Sequence, residues 1–209
     1  MQFANKLKDW CYTESGPYRR PFLPNPRWES ASVVVVGTNP ATSMRDEFDS
    51  FDHYWKGITE SPDIFYERYR RAYSGGTSKS TSNAKILLKL LDSLNVLVTN
   101  VVWYPASSKK QIPKVEWELG FNSLTALIEH IRPKAVFCHG AVAEEFAKSL
   151  DPNIDRYRPA AEQTVVGSGD VLVLAYHHFS GQGLKKGAEF QPQRDFPIFA
   201  RAIQSHVRA

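Results

Sequence analysis

The sequence predicts an α/β fold of three layers, in which helices cover both faces of a central four-stranded parallel sheet. Four short apolar runs rich in β-branched residues have the composition of strands buried on both faces. Segments with helical periodicity separate these runs along the chain, and such alternation is typical of a parallel sheet. The four predicted strands are Val33–Val36, Val96–Val102, Ala135–Cys138 and Val171–Tyr176.

Length and composition indicate one globular domain over residues 1–209. The net charge of +4 and the pI near 9.0 are compatible with nucleic acid as a partner. Cys11 and Cys138 are too few for a disulfide scaffold, a four-thiolate zinc site or an iron–sulfur cluster, and we expect both to be reduced in a cytoplasmic protein. No run approaches the ~18 apolar residues of a membrane span, and we expect no membrane association.

Before the first strand, the apolar residues fall on one helical face near residues 2–12. A proline-rich loop follows over residues 15–26. Its Arg19–Arg20 pair could touch a phosphate, but exposed charge is the norm and favours a solvated surface pair.

Between the first and second strands, a short helix at His53–Gly57 precedes one that starts at Ser61-Pro62-Asp63 and stops at Gly75-Gly76. Residues 75–83 are Gly, Ser and Thr with one Lys, which indicates a mobile loop. The next helix is predicted at Ala84–Leu94. Further helices are predicted at Leu119–Ile131, Ala141–Leu150 and Phe196–Val207, with irregular chain over residues 151–169.

Polar residues follow the predicted strands where each one ends. Because the carboxyl ends of parallel strands share one edge of a sheet, we expect these side chains to lie near one another and to form a site. Asn100 is unusual inside an apolar run, since a buried amide must be hydrogen-bonded. The residues concerned are Asn39, Asn100, His139, His177 and His178.

Five short motifs, spread along the chain from Gly37 to Ser180, resemble those of the uracil-DNA glycosylase superfamily. Gly37-Thr38-Asn39-Pro40 is similar to the first motif in its asparagine form, as in the mismatch-specific and single-strand-selective branches. Val98-Thr99-Asn100 resembles the strand with the uracil-reading asparagine, and His178-Phe179-Ser180 resembles the His-Pro-Ser motif. Two further matches are the aromatic pair Tyr54-Trp55 and the strand–glycine segment Val136–Gly140.

The chain departs from this pattern at three places. Ala41 replaces the glycine usual after Asn-Pro, and Phe179 replaces the proline of the last motif. The segment after Ser180 is Gly-Gln-Gly-Leu-Lys-Lys-Gly rather than the usual short leucine loop. With two cysteines, the iron–sulfur branches are excluded.

The resemblance implies roles for individual residues. His178 would hydrogen-bond the base carbonyl as negative charge grows there, and Asn39 would orient the attacking water without acting as a general base. An aspartate at position 39 could accept the water's proton, so Asn39→Asp is expected to raise excision. The base would be bound by Gly37, Thr38, Pro40, Asn100, Phe48 and Phe51. Asn100 would select uracil over cytosine. Phe48, Phe51 and Tyr54 are the candidates for an aromatic floor under the base, although a core position is the favoured interpretation of each.

The glycine-rich segment after the last motif is the expected DNA contact. Gln182 or Leu184 could fill the gap left by a flipped base, and Lys185 and Lys186 lie beside them for phosphate contacts. Ser180 is included in this predicted DNA-binding set. A solvated surface turn is the alternative interpretation.

The function expected from these residues is excision of uracil or a related damaged base by cleavage of the N-glycosidic bond. The alternative is a catalytically weak or inactive protein of the same fold that binds DNA or a nucleobase. We expect no cofactor and no metal, a monomer, and DNA with a damaged or mismatched base as the partner. His177 is the alternative to His178, since adjacent strand residues face opposite ways.

Overall fold

The computed structural model describes residues 2–73, 78–163, 171–186 and 188–209. Four strands form one parallel sheet in the spatial order β2-β1-β3-β4, and this confirms the predicted α/β fold class. The strands are β1 (Val33–Gly37), β2 (Val96–Asn100), β3 (Ala135–His139) and β4 (Leu172–Tyr176).

The strand register brings the carboxyl ends of three strands level. Val33 pairs with Ala135 across β1 and β3, and Ala135 pairs with Leu172 across β3 and β4. His139 pairs with Tyr176 at the other end of the same ladder. The segments that follow β1, β3 and β4 therefore leave the sheet from one edge.

The described helices agree with most of the predicted positions, but four of them begin earlier than expected. The short helix predicted at His53–Gly57 runs from Phe51 to Thr59, so Gly57 does not end it. The helix predicted from Ala84 begins at Lys79, the one predicted from Leu119 begins at Lys114, and the one predicted from Phe196 begins at Pro192. The helices are α1 (Gln2–Cys11), α2 (Phe51–Thr59), α3 (Pro62–Ala72), α4 (Lys79–Leu90), α5 (Lys114–Ile131), α6 (Ala141–Leu150) and α7 (Pro192–Arg208).

The start of α4 corrects the predicted loop over residues 75–83. The Ser78 side chain accepts a hydrogen bond from the backbone N–H of Thr81 (3.1 Å) and caps the helix. Asn83 is 6% exposed, and its Nδ2 donates to the carbonyl oxygen of Phe179 (2.7 Å). This buried hydrogen bond holds the first turns of the helix in place. The part of the predicted loop at residues 74–77, with the predicted stop at Gly75-Gly76, lies outside the described residues.

The expectation of a solvated Arg19–Arg20 pair is wrong. Arg19 forms a bidentate ion pair with Glu116, with both N–O distances at 2.7 Å. Arg20 is 5% exposed, and its guanidinium carbon lies 5.7 Å from the ring centroid of Phe65. Burial lowers the pKa of Arg20. The packing of apolar rings around Arg20 therefore removes it from the surface, and neither arginine is placed as a free phosphate ligand.

The chain divides into two compact units. The first comprises Met1–Glu29, Asn39–Gly76 and Thr99–Ile131, and the second comprises Ser30–Thr38, Thr77–Val98 and Arg132–Ala209. Single-domain organisation over residues 1–209 stays a prediction.

In the second unit, an apolar core joins one face of the sheet to α4 and α7. Val33 and Val35, with leucines and aromatic rings, fill the space at close to zero exposure, which is the arrangement expected of strands buried on both faces. Its aromatic members are Phe137, Tyr176, Phe179, Phe196 and Phe199. None of the helices within the described residues is long and apolar enough to cross a membrane.

Candidate active site

His178 lies in the turn that follows β4, and the turn itself fixes its ring. The backbone N–H of Ser180 donates to His178 Nδ1 (3.2 Å), and the Ser180 hydroxyl lies 2.7 Å from the same nitrogen. The backbone N–H of Gln182 in turn donates to Ser180 Oγ (3.3 Å). A chain of hydrogen bonds thus connects the loop after β4 to one edge of the histidine ring.

These contacts determine which ring nitrogen carries the proton. A backbone N–H can only donate, so Nδ1 of His178 is an acceptor and is not protonated. In the neutral ring the proton is therefore on Nε2. The ring presents a donor at the end that points away from Ser180.

Gly140, the residue that follows β3, packs closely against the ring of His178. Gly140 has φ +87°, and a Cβ built there would lie 3.1 Å from His178 Cδ2. Glycine is required by both the left-handed backbone and the contact with the ring. Gly140 also opens α6, as the sequence predicts.

His139, the last residue of β3, packs next to His178 and remains neutral. Its ring stacks on Phe179 with centroids 3.8 Å apart, and its centroid lies 5.5 Å from that of His178. The Nδ1 atom is buried and has no hydrogen-bond partner within the described residues. Burial, with a smaller effect of nearby His178, lowers the pKa of His139 to about 3.

His177 faces different neighbours from His178. It is 5% exposed and lies among the rings of Tyr157, Tyr176 and Phe190. It lines a cavity of about 270 Å³ with residues of the α7 start, including Asp195. Burial, and then the charge of Arg156, lowers the pKa of His177. The two histidines thus point into separate environments, as expected of adjacent residues at a strand end, and the choice of His178 as catalytic stays a prediction.

The loop predicted to contact DNA rests on a residue that the sequence analysis did not single out. Tyr157 donates from its hydroxyl to the carbonyl oxygen of Gly183 (3.2 Å). Its ring centroid lies 4.1 Å from Lys185 Nζ and 4.3 Å from the guanidinium carbon of Arg156. Arg156 is held by an ion pair with buried Glu144. No local pattern marks Tyr157, since these contacts join distant parts of the sequence.

The predicted DNA contacts at the tip of this loop are accessible. Gln182, Lys185 and Lys186 are exposed, and Leu184 is 36% exposed. Ser180 is half-buried because its hydroxyl is engaged with His178. This arrangement suits the predicted role, which stays a prediction.

Asn39 is half-buried, and its amide is held by two backbone carbonyls. Nδ2 lies 2.9 Å from the oxygen of Pro40 and 2.8 Å from the oxygen of Ala106. Carbonyl oxygens can only accept, so the atom that faces both must be the NH₂ group. Oδ1 is the remaining polar atom of the side chain. The Ala106 carbonyl was not foreseen, because no sequence signal connects it to Asn39.

The other predicted base-binding residues occupy several positions. Gly37 ends β1, and both Thr38 and Pro40 are buried. Asn100 ends β2 and is half-buried, and its carbonyl oxygen accepts a hydrogen bond from Trp103 Nε1 (3.1 Å). Asn100 thus lies at the carboxyl end of β2, the point that the sequence predicts.

The two phenylalanines proposed to stack on the base lie in an aromatic cluster. Phe48 is 6% exposed, with its ring centroid 5.4 Å from that of Tyr54 and 6.0 Å from that of Phe65. Phe51 is half-buried against Tyr18 (5.0 Å). These contacts agree with the core position that the sequence analysis also allowed, and a role in base binding stays a prediction.

Each unit brings together part of the predicted site. The second unit holds His139, His178 and the loop that carries Ser180 to Lys186, while Asn39 and Asn100 belong to the first unit. The convergence of Asn39, Asn100 and His178 stays a prediction. Among the residues that the structure describes, no group of three or more His, Cys, Asp or Glu side chains could hold a metal ion.

Comparison with known proteins identifies the family of the chain. A family model described as the uracil DNA glycosylase superfamily matches residues 27–198, which include all five motifs. No curated protein matches the chain.

The tautomer of His178 can be measured without any activity assay. We expect long-range ¹H–¹⁵N spectra of the neutral ring to show Nδ1 as the unprotonated nitrogen and Nε2 as the protonated one, because Ser180 donates to Nδ1. The assignment uses a His178→Gln variant, whose spectrum lacks the signal. Protonation at Nδ1 would contradict the geometry.

The depressed pKa of His139 makes stability depend on pH. In the unfolded chain His139 binds a proton below about pH 6.5, whereas in the folded protein it does so only below about 3. The unfolded state therefore holds more protons across this range, and the free energy of unfolding falls as the pH falls. The expected slope is at most ~1.4 kcal/mol per pH unit.

His139→Phe keeps an aromatic ring against Phe179 and removes this titration. Denaturant unfolding at several pH values should show a flatter acid limb for His139→Phe than for the parent. His53→Gln, a partly exposed histidine on α2, serves as the control. Parallel pH profiles of parent and His139→Phe would refute a neutral His139.

The geometry at Asn39 predicts that Asn39→Asp destabilises the protein. A carboxylate would place an acceptor against the carbonyls of Pro40 and Ala106 and lose both hydrogen bonds. A fully buried unpaired polar group costs about 1–3 kcal/mol, and because Asn39 is half-buried we expect a loss near the lower end of that range. The deficit should shrink in acid, because a protonated carboxyl can donate one hydrogen bond. Asn122→Asp, at an exposed position of α5, is the matched control. A neutral-pH stability equal to the parent's would contradict this reading of Asn39.

Proposed function

Because the chain belongs to the uracil DNA glycosylase superfamily, we propose that it hydrolyses the N-glycosidic bond of uracil or a related damaged base in DNA. The observation that carries this proposal is the state of His178, whose Nδ1 accepts from Ser180 and whose Nε2 therefore carries the proton. A fixed N–H donor at this position can stabilise the negative charge that develops on the base as it leaves.

The chemistry needs stabilisation of charge on both sides of the breaking bond. Positive charge develops on the sugar as the bond lengthens, and negative charge develops on the leaving base. The Nε2–H of His178 donates to a carbonyl oxygen of the base, and the bond strengthens as that charge grows. A preorganised donor of this kind typically contributes about 10²–10³-fold in rate. Because the Ser180 N–H and hydroxyl hold the ring, little reorganisation accompanies the reaction.

In this proposal Asn100 recognises the base. A side-chain amide donates to one edge atom of a base and accepts from its neighbour, which fits uracil and mismatches cytosine. The proposal requires Asn39, Asn100 and His178 to line one cleft. It is supported by their positions at the carboxyl ends of parallel strands, where such sites form.

Asn39 has a limited role in activating water. Its NH₂ group is engaged by the carbonyls of Pro40 and Ala106, which leaves Oδ1 to accept a hydrogen bond from the attacking water. An amide oxygen orients water but does not remove its proton. Without a general base, which typically contributes 10²–10⁴-fold, excision should be slow.

A DNA- or nucleobase-binding protein without catalysis is the second candidate. The specific observation that favours it is the same Asn39 amide, since its two backbone contacts also describe a purely structural residue. The candidates differ in what they require. An enzyme needs the His178 donor, whereas a binder depends on Asn100 and the lysines of the loop.

The decisive experiment is a single-turnover excision screen. Oligonucleotides with uracil, hypoxanthine, xanthine or a mismatched thymine are incubated with the protein, and abasic sites are then cleaved with alkali. We expect slow excision of at least one base. His178→Ala should lower that rate by about 10²–10³-fold, and Ser180→Ala by roughly 2- to 10-fold, since one hydrogen bond to the ring remains.

His177→Gln is the matched control, because His177 faces a separate cavity. A rate that depends on His177 and not on His178 would overturn the assignment of the catalytic histidine. Absence of excision on every substrate, with DNA binding retained, would leave the binding protein as the function.

A further inference from the structure

An exposed stripe of tyrosines, none of them assigned a role above, lies along the C-terminal half of α3. Tyr66 and Tyr69 lie on α3 one turn apart, and Tyr73, the residue that caps the C-terminus of α3, continues their i, i+3, i+7 spacing. Tyr66 is 38% exposed and Tyr73 is 42% exposed, while Tyr69 is partly buried between them. In globular proteins such a stripe normally faces the core. Its exposure here therefore indicates an interaction site.

The rings of this stripe are ordered. Phe65, Tyr69 and Tyr73 form a stacked column, with centroid distances of 6.1 and 5.8 Å and interplanar angles of 15° and 21°. The buried guanidinium of Arg20 lies 5.7 Å from the Phe65 centroid and 5.8 Å from that of Tyr69. Packing against Arg20 holds the inner rings, so the outer ring of Tyr73 extends a preorganised aromatic surface.

A positive charge lies within the same stripe. Arg70 occupies the i+4 position from Tyr66 and is exposed. Within the part of the chain that the structure describes, no carboxylate lies within ion-pair distance of Arg70, whereas its neighbour Arg71 is paired with Glu67. The tyrosine–arginine face, defined by Tyr66, Tyr69, Arg70 and Tyr73, therefore combines aromatic rings with an uncompensated cation.

We propose that the tyrosine–arginine face of α3 binds single-stranded DNA. Rings that stack bases and a cation that meets the backbone phosphates are the two elements of single-strand binding surfaces. Tyr66 and Tyr73 are separated by two helical turns, or roughly 10 Å along the axis, which suits stacking on bases of separate nucleotides. A duplex hides the faces of its bases, so the rings have nothing to stack on there.

This inference rests on the proposed function only in taking DNA as the partner. It adds a strand preference, because single-stranded substrate would gain contacts that a duplex lacks. It does not require excision, and the two can fail separately.

The test measures binding of fluorescently labelled oligothymidylate, alone and paired with oligoadenylate, by anisotropy over a series of salt concentrations. Tyr66→Ala and Tyr73→Ala should each weaken single-strand binding roughly 5- to 150-fold and leave the salt slope unchanged. Tyr73→Phe should bind like the parent, because it keeps the ring. Tyr12→Ala removes a 50% exposed tyrosine outside α3 and is the matched control.

Arg70 is tested by its salt dependence. Arg70→Ala should reduce the slope of log affinity against log salt by about 0.7, the value for one single-strand phosphate contact, and Arg70→Lys should restore it. Crosslinking of the unmodified protein to oligonucleotides that contain 4-thiothymidine should map to residues 62–73. This second measurement does not depend on the folding of any variant.

The proposal is overturned if the alanine variants bind single strands like the parent, if single-strand and duplex binding fall in equal proportion, or if crosslinks map only outside α3. Excision with unchanged binding by the variants would remove this inference and keep the proposed function. Ring-dependent single-strand binding without excision of any base would support this inference and contradict the proposed function.

Discussion

Complete burial of β1 is the constraint on which the rest of the described structure depends. Val33 to Val36 are at most 2% exposed, with β2 on one side of the strand and β3 on the other. Backbone groups in such a strand must be paired within the sheet, and its side chains must be apolar on both faces. Polar chemistry is therefore displaced to the residues after Gly37, where the chain leaves the sheet. His139 and His178 likewise lie at or just after the end of a buried strand. Burial of the strands therefore explains why the candidate residues are found at strand ends.

Features that depend on local composition were predictable, and features that depend on distant contacts were not. The strands were found within a few residues because valine-rich runs have few alternatives to a buried sheet. The start of α4 was missed because it depends on the hydrogen bond of Asn83 to Phe179, which lies 96 residues away along the chain. Arg20 was predicted to be a surface residue because the rings that bury it, Phe65 and Tyr69, lie more than 40 residues away along the sequence. Two further features were missed for the same reason, since both depend on contacts between distant parts of the chain. They are the contact of Tyr157 with the loop at Gly183 and the contact of Asn39 with the Ala106 carbonyl.

The structure also accounts for Phe179, which departs from the proline usual in the last motif. Proline restricts a turn through its fixed φ, whereas Phe179 restricts it by burial. The side chain is 1% exposed, with ring centroids 3.8 Å from His139 and 5.3 Å from Phe196. Its carbonyl is held by Asn83 at the same time. The turn that presents His178 is thus fixed by packing and one hydrogen bond, and the substitution does not by itself argue against a catalytic histidine.

Asparagine at position 39 has a physical explanation that would also limit the proposed reaction. Two backbone carbonyls face the same atom, and only an NH₂ group satisfies both. An aspartate would give up these contacts, so a carboxylate base at this turn would come with a loss of stability. A site with this turn keeps the donor of His178, worth about 10²–10³-fold, and forgoes a general base, worth about 10²–10⁴-fold. Catalysis in this chain would therefore depend on stabilising the departing base more than on activating water. Such an enzyme should favour bases that leave readily, because a good leaving group needs the least help from the nucleophile.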